Sequence, residues 1–197
     1  MRRIRHRVAV LALQGAFIEH ELMLQKLGVE SFEVRNLSDW MGDKDALILP
    51  GGESTAMARI MKDEGLIEPI KMSIAQGLPV MGTCAGCILL ASKAIEADGS
   101  INNMERIGTM DITVQRNAYG RQLGSFITAQ NLLGIGCNIP LTFIRAPYIK
   151  GKGENVEILA SVDDRIVVAR EGNQLALTFH PELTDDTRIH QYFLSMI

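Results

Sequence analysis

The chain has 197 residues, 47% of them hydrophobic and 22% charged, with a formal net charge of −3. That balance fits a globular protein with one substantial core and implies no general attraction to nucleic acid or to a membrane surface. Three cysteines, Cys84, Cys87 and Cys137, form no disulfide framework and suit a reducing cytoplasm.

Arg2, Arg3, Arg5 and Arg7 precede an apolar run at 8–13 (VAVLAL). The run stops at Gln14-Gly15, too short for a signal sequence or a membrane span, so the arginines read as a charged lead-in to a first strand. Helical spacing follows at 17–27, closed by Gly28, then a weaker strand at 31–34 and a short buried strand at 46–49 (ALIL) ended by Pro50-Gly51-Gly52. Ser54 is placed to cap a helix over 56–62, and 67–76 is again helical. Gly77 and Pro79 lead into a strand that ends at Cys84, and an apolar helical pattern continues through Ile88, Leu89, Leu90 and Ala91. Strands alternating with helices across short loops predict a doubly wound α/β sheet, mostly parallel and flanked by helices.

Beyond Ala94 the pattern changes. Residues 98–103 are polar and loop-like, and 107–114, 125–128 and 141–144 read as strands with no helix between them. Two more strands, 156–162 and 165–170, are joined by Asp163-Asp164 as a hairpin. A buried-type strand at 175–179 (LALTF) runs into His180-Pro181-Glu182, and Thr184 is placed to cap a final helix with Ile189, Tyr192, Phe193 and Met196 on one face. With no repeat and no linker, residues 1–197 read as one α/β domain with a β-rich second half.

Open α/β sheets place their sites at the carboxyl ends of strands. Three such ends carry unusual residues here: Gly51-Gly52-Glu53-Ser54, Cys84-Ala85-Gly86 and His180-Pro181-Glu182. Cys84 stands between small residues at a strand-to-helix turn, where a strained backbone needs slim neighbours and the helix start favours a thiolate. A thiol nucleophile requires a base and a group to orient that base. His180 and Glu182 are the candidates, and an extended backbone stiffened by Pro181 would put both on one face. The N–H of Ala85 is the expected first oxyanion donor, with Gly51-Gly52 as the source of a second. His6, His20 and His190 have no comparable setting and read as structural or surface residues. Cys84-Ala85-Gly86-Cys87 is also a C-x-x-C, the pattern of a thiol oxidoreductase. The apolar run after Cys87 and the presence of the distant HPE speak against a dithiol, and no second ligand pair has zinc spacing.

Taken together, VLALQGAFIEH (10–20), LILPGGEST (47–55), GTCAG (82–86), QRNAYGRQ (115–122), FIRAP (143–147) and FHPEL (179–183) resemble the class I, triad-type glutamine amidotransferases. GTCAG and HPE are shared widely in that family, whereas LALQG, GGEST, RNAYGRQ and FIRAP in this order are specific to its vitamin B6 branch. The resemblance implies a three-layer, flavodoxin-like fold and hydrolysis of L-glutamine to glutamate and ammonia. Cys84, His180 and Glu182 would form the triad, and Gly52 and Ala85 the backbone oxyanion hole. Gly52, Glu53, Ser54, Arg116, Ile144 and Arg145 would line the glutamine pocket, an arginine suiting the substrate carboxylate and Glu53 or backbone carbonyls the ammonium. Gln14 would line the site or a partner surface.

The resemblance further implies no cofactor, no metal, a cytoplasmic location and a (β/α)₈-barrel synthase subunit that receives the ammonia in a large hetero-oligomer making pyridoxal 5′-phosphate. The implied activity classes are hydrolase and, through that complex, lyase. Two departures stand out: Cys87 where the family carries an aliphatic residue, which predicts oxidant sensitivity, and the additional N-terminal arginines. The competing readings are a glutaminase for another pathway, such as histidine or purine synthesis, a regulatory member without catalysis, and the dithiol oxidoreductase.

Overall fold

A computed structural model describes residues 6–116 and 125–197. The first half of the chain folds as β1 (Arg7–Leu11), α1 (Phe17–Lys26), β2 (Glu30–Val34), α2 (Leu37–Trp40), β3 (Ala46–Leu49), α3 (Ser54–Asp63) and α4 (Ile67–Ala75). Then come β4 (Val80–Thr83), α5 (Ala85–Leu90), β5 (Ala91–Ile95), β6 (Met110–Gln115), β7 (Ser125–Leu132) and β8 (Gly136–Ile144). The chain finishes with β9 (Tyr148–Lys152), β10 (Glu157–Val162), β11 (Arg165–Glu171), β12 (Gln174–Leu177), a 3₁₀ turn at Pro181–Leu183 and α6 (Arg188–Leu194).

All residues of β3 and β4 are buried, and β1 is buried from Val8 onward. Strands buried on both faces must lie inside a covered sheet, with side chains alternating between two cores. Ala9, Leu11, Leu47 and Leu49 face the core shared with α3, α4 and α5. Val8, Val10, Ala46 and Ile48 face the core shared with α1, α6 and the β7–β8 pair. Three layers result.

The main sheet runs β2-β1-β3-β4-β12-β11-β9-β6-β5, with β10 paired to β11. From β2 to β12 neighbouring strands are parallel, and from β12 to β6 they are antiparallel. The expected parallel half and most of the β-rich second half are therefore joined in one mixed sheet, while β7 and β8 pair antiparallel with each other as a separate two-stranded sheet. The step that matters for function is β12, which lies parallel to β4 with Leu177 opposite Thr83. It brings the strand before His180 alongside the strand before Cys84.

Three local expectations are corrected. Glu53, not Ser54, caps α3: its carboxylate accepts from the N–H groups of Thr55 and Ala56, while Ser54 is already helical and buried. The helix after Cys84 stops at Leu90, and Ala91 turns extended to start β5; a fully apolar run does not distinguish buried helix from buried strand. Thr184 closes the 3₁₀ turn rather than capping α6, whose first residue follows Thr187. Strand β9 and the single-turn α2 lacked a readable period. By contrast, Asp163 and Asp164 form the expected β10–β11 hairpin with φ of 48° and 61°, the left-handed pair of a tight primed turn. Among the described residues no helix is long and apolar enough to cross a membrane.

Candidate active site

Four parallel strands, β1, β3, β4 and β12, end on the same side of the sheet, and the segments leaving them surround one cavity of ≈ 440 Å³, in the range of small-molecule sites. Its lining includes Gly52, Glu53, Ser54, Cys84, Ala85, Arg116, Ile144, Arg145 and His180, so nine of the expected site residues meet there. Glu182 lies behind His180. The segment 117–122 of the QRNAYGRQ motif falls outside the described residues.

Cys84 sits between β4 and α5 with φ 48° and ψ −101°, a conformation that costs a non-glycine residue roughly 1–3 kcal/mol. Close packing enforces it. A Cβ on Gly86 would lie 2.0 Å from the Leu49 carbonyl oxygen, and one on Gly82 would lie 2.6 Å from Gly86. Only slim residues let α5 start so near β3 and β4, and the Cys84 N–H donates to Leu177 O of β12 at 2.8 Å. The thiol is thereby presented to the cavity and tied to the strand that leads to His180.

His180 is fixed by its own backbone N–H, which donates to Thr142 O of β8 at 2.8 Å. Its Nδ1 lies 2.6 Å from Glu182 Oε1. The backbone here is not extended as anticipated: Pro181 opens a 3₁₀ turn, where its fixed φ and missing N–H are no penalty, and the turn brings residues 180 and 182 together. Burial alone would lower the His180 pKa, but hydrogen bonding and charge attraction with Cys84 and Glu182 outweigh it and push it up to about 10. Burial pushes Glu182 the other way, yet His20 and His180 hold it below the usual carboxylate value. A Cβ on Gly51 would come 2.3 Å from His180 Cε1 and 3.3 Å from Cys84 Cβ, so the β3 loop closes directly on the pair.

The Gly51 carbonyl accepts from the Ala16 N–H at 3.0 Å, fixing that peptide. The Gly52 N–H, on its opposite edge, makes no hydrogen bond among the described residues. Ala85 is the first residue of α5 and its N–H has no intrahelical acceptor. Gln14 lines the cavity, and its Oε1 accepts from the Glu53 N–H at 2.7 Å. Glu53 is committed twice, to the α3 cap and to Arg116 at 3.4 Å. Arg116 also meets Glu96 at 2.8 Å and Thr55 Oγ1 at 3.1 Å. Arg145, at φ 44°, makes no ion pair among the described residues and remains the available cation.

Cys87 is fully buried in the apolar cluster beneath α5, and burial drives its thiol pKa far above the usual value. A thiol so placed is a poor redox partner for Cys84. His20 and His190, expected to be structural or surface residues, are buried behind Glu182: His20 Nδ1 is 3.0 Å from His190 Nε2, and His20 Nε2 is 3.4 Å from Glu182 Oε2. A sequence signal did exist. His20 shares the apolar stripe of α1 with Met23 and Leu24, and His190 lies beside Ile189 and Phe193 on the inner face of α6. No group of three or more His, Cys, Asp or Glu among the described residues is arranged to hold a metal ion.

Residues 10–197 match the SNO glutamine amidotransferase family. The chain belongs to that family. It is 61% identical over 191 residues to "Pyridoxal 5′-phosphate synthase subunit PdxT" of Methanocorpusculum labreanum, covering 97% of both chains. It is 54% identical over 193 residues to the protein of the same name from Streptococcus pneumoniae, covering 96% of each. Among solved structures, one described as "Crystal structure of glutamine amidotransferase" superposes with a TM-score of 0.89 at 42% identity, covering 96% of this chain and 97% of that one. The structure of PurLQS from Thermotoga maritima, at 19% identity and a TM-score of 0.65 over 98% of this chain and 99% of that one, shares the fold. These matches correct one expectation: an amidotransferase acts on glutamine as an amide hydrolase, and lyase chemistry finds no support in the family or its members.

Proposed function

We propose that this protein is the glutaminase subunit of a pyridoxal 5′-phosphate synthase, hydrolysing L-glutamine to L-glutamate and ammonia and passing the ammonia to the synthase subunit. The carrying observation is the arrangement of Cys84, His180 and Glu182, with His180 Nδ1 2.6 Å from Glu182 Oε1 and its ring against Cys84. The closeness to the Methanocorpusculum and Streptococcus proteins supports the pathway.

In this reading the Cys84 sulfur, as thiolate, attacks the side-chain amide carbon of glutamine. His180, doubly protonated at neutral pH, gives one proton to the departing ammonia, which leaves a glutamyl thioester on Cys84. The now neutral imidazole takes a proton from water, and the resulting hydroxide equivalent attacks the thioester. The C–S bond breaks, and glutamate leaves with its acid proton lost to solvent, restoring the Cys84 thiolate beside protonated His180. Glu182 accepts from His180 Nδ1–H throughout, holding the ring so that Nε2 faces the sulfur. The N–H groups of Ala85 and Gly52 receive the developing oxyanion. Arg145 takes the substrate carboxylate, because Arg116 is already neutralised by Glu53 and Glu96. Glu53, Ser54 and Ile144 complete the pocket wall. Residues 1–197 act as one glutaminase unit in the cytoplasm, docked on a (β/α)₈-barrel synthase in a large hetero-oligomer.

The test is glutamate release from glutamine with and without the cognate synthase subunit. The expected result is slow hydrolysis alone and a marked rise with the partner. Fast, partner-independent hydrolysis would overturn the coupling, and no hydrolysis in either case would overturn the glutaminase reading.

A further inference from the structure

Glu182 has two carboxylate oxygens and the triad uses one. Oε1 is taken by His180, whereas Oε2 is buried and has no hydrogen bond of its own. A buried, ionised oxygen with no donor is costly, so whatever lies against it matters. That neighbour is His20 of α1, whose Nε2 stands 3.4 Å from Oε2 and 3.1 Å from Thr83 Oγ1. Thr83 immediately precedes the nucleophile. His20 therefore touches both parts of the site: the carboxylate that holds the base and the strand end that carries the thiol. Its side chain, like those of Thr83 and His190, is fully buried.

The network also fixes where the His20 proton sits. A carboxylate only accepts, so a lone pair on His20 Nε2 would face the charged oxygen of Glu182, whereas an N–H there would be attracted to it. With the proton on Nε2, Nδ1 accepts from His190 Nε2–H across their 3.0 Å contact. His190 Nδ1, which has no partner, is then a bare acceptor. The reverse tautomers would make it a buried donor without an acceptor, the rarer defect. Burial holds both histidines below their ordinary pKa, consistent with two neutral rings passing one hydrogen-bond direction from α6 through α1 to Thr83 Oγ1, with the Nε2–H beside Glu182 Oε2.

We propose that His20 is a positioning residue for the triad: anchored at Thr83 and carrying its proton on Nε2, it keeps Glu182 Oε2 in place so that Oε1 stays aligned on His180. The proposal rests on the triad reading above and deepens it.

The experiment measures kcat and KM for glutamine in the complex with the synthase subunit, for the native chain, His20→Leu, His20→Gln and Cys84→Ala. Removing the polar neighbour with His20→Leu is expected to lower kcat about tenfold to a hundredfold, the scale on which a buried charged oxygen suffers when left without polar company, and to leave KM within about threefold. His20→Gln, whose amide N–H reaches the same place, recovers most of the loss. A folded His20→Leu with native kcat overturns the proposal, because a merely structural histidine would lower Tm alone. Should His20→Leu not fold, ¹⁵N NMR of the histidine rings in the native chain decides: the Nε2–H tautomer at His20 supports the proposal and the Nδ1–H tautomer overturns it. Cys84→Ala separates the two claims, since activity remaining there sinks the triad itself, whatever His20 does.

Discussion

Cys84 has two surroundings, and they are built differently. On the cavity side stand Glu53, Arg116 and Arg145, partly or largely open to solvent and held by contacts such as the 3.4 Å pair between Glu53 and Arg116. On the inner side stand His180, Glu182, His20 and His190, buried and linked by contacts of 2.6 to 3.4 Å. Groups that bind a passing substrate must be reachable and able to exchange partners. Groups that aim a nucleophile gain from desolvation, because a low local dielectric strengthens each hydrogen bond and penalises each lost one. The comparison assigns specificity to the outer side and rate to the inner side.

The sharpest test lies at the boundary between them. Cys84→Ala is expected to reduce glutamine hydrolysis by at least about a thousandfold, while Cys87→Ala, one helical turn inward, keeps most of it. Both are read by glutamate release. Equal losses would return the chemistry to a C-x-x-C pair.

A smaller effect should mark the outer side. Arg145→Ala is expected to raise KM for glutamine roughly tenfold, by loss of one charge-assisted contact, with kcat within about threefold. A fall in kcat at unchanged KM would break the division between the two sides.

The smallest expected effect is on stability. The buried His20 and His190 hold off protons that the unfolded chain accepts at the ordinary value of 6.5, so their contribution is present above pH 6.5 and lost as pH falls below it. His180, pushed up to about 10, works oppositely: its contribution is complete below 6.5 and lost as pH rises toward 10. Tm should therefore peak near pH 6.5, and His190→Phe should flatten the acid side. A Tm unchanged from pH 7 to 5 would show that the inner histidines carry no such linkage.

Much of this was readable in advance where residue chemistry is local. The apolar runs VAVLAL and ALIL announce doubly covered strands, and the small residues around Cys84 announce a tight elbow. The HPE motif announced that His180 and Glu182 would meet, although their geometry comes from a 3₁₀ turn rather than an extended strand. Harder to see were features decided by distant partners. Ala91 begins β5 only because β6 pairs with it. Glu53 displaced Ser54 as a cap because the helix starts at Ser54, leaving Glu53 just before it with its carboxylate reaching forward to two N–H groups. His20 and His190 meet only when α1 and α6 pack on the same sheet face. No local pattern relates two lone histidines that far apart, although their places on apolar stripes marked each as buried.

The pairing of β12 with β4 has a consequence in time as well as space. During synthesis Cys84 emerges after β4, but His180 follows β12, after the whole antiparallel half has been made. Until then β4 presents an open strand edge, and Cys84 lacks both the Leu177 carbonyl that anchors its backbone and the imidazole that serves it. On the proposed mechanism a nascent chain is therefore silent toward glutamine, and ammonia release begins only when the last strand closes the sheet.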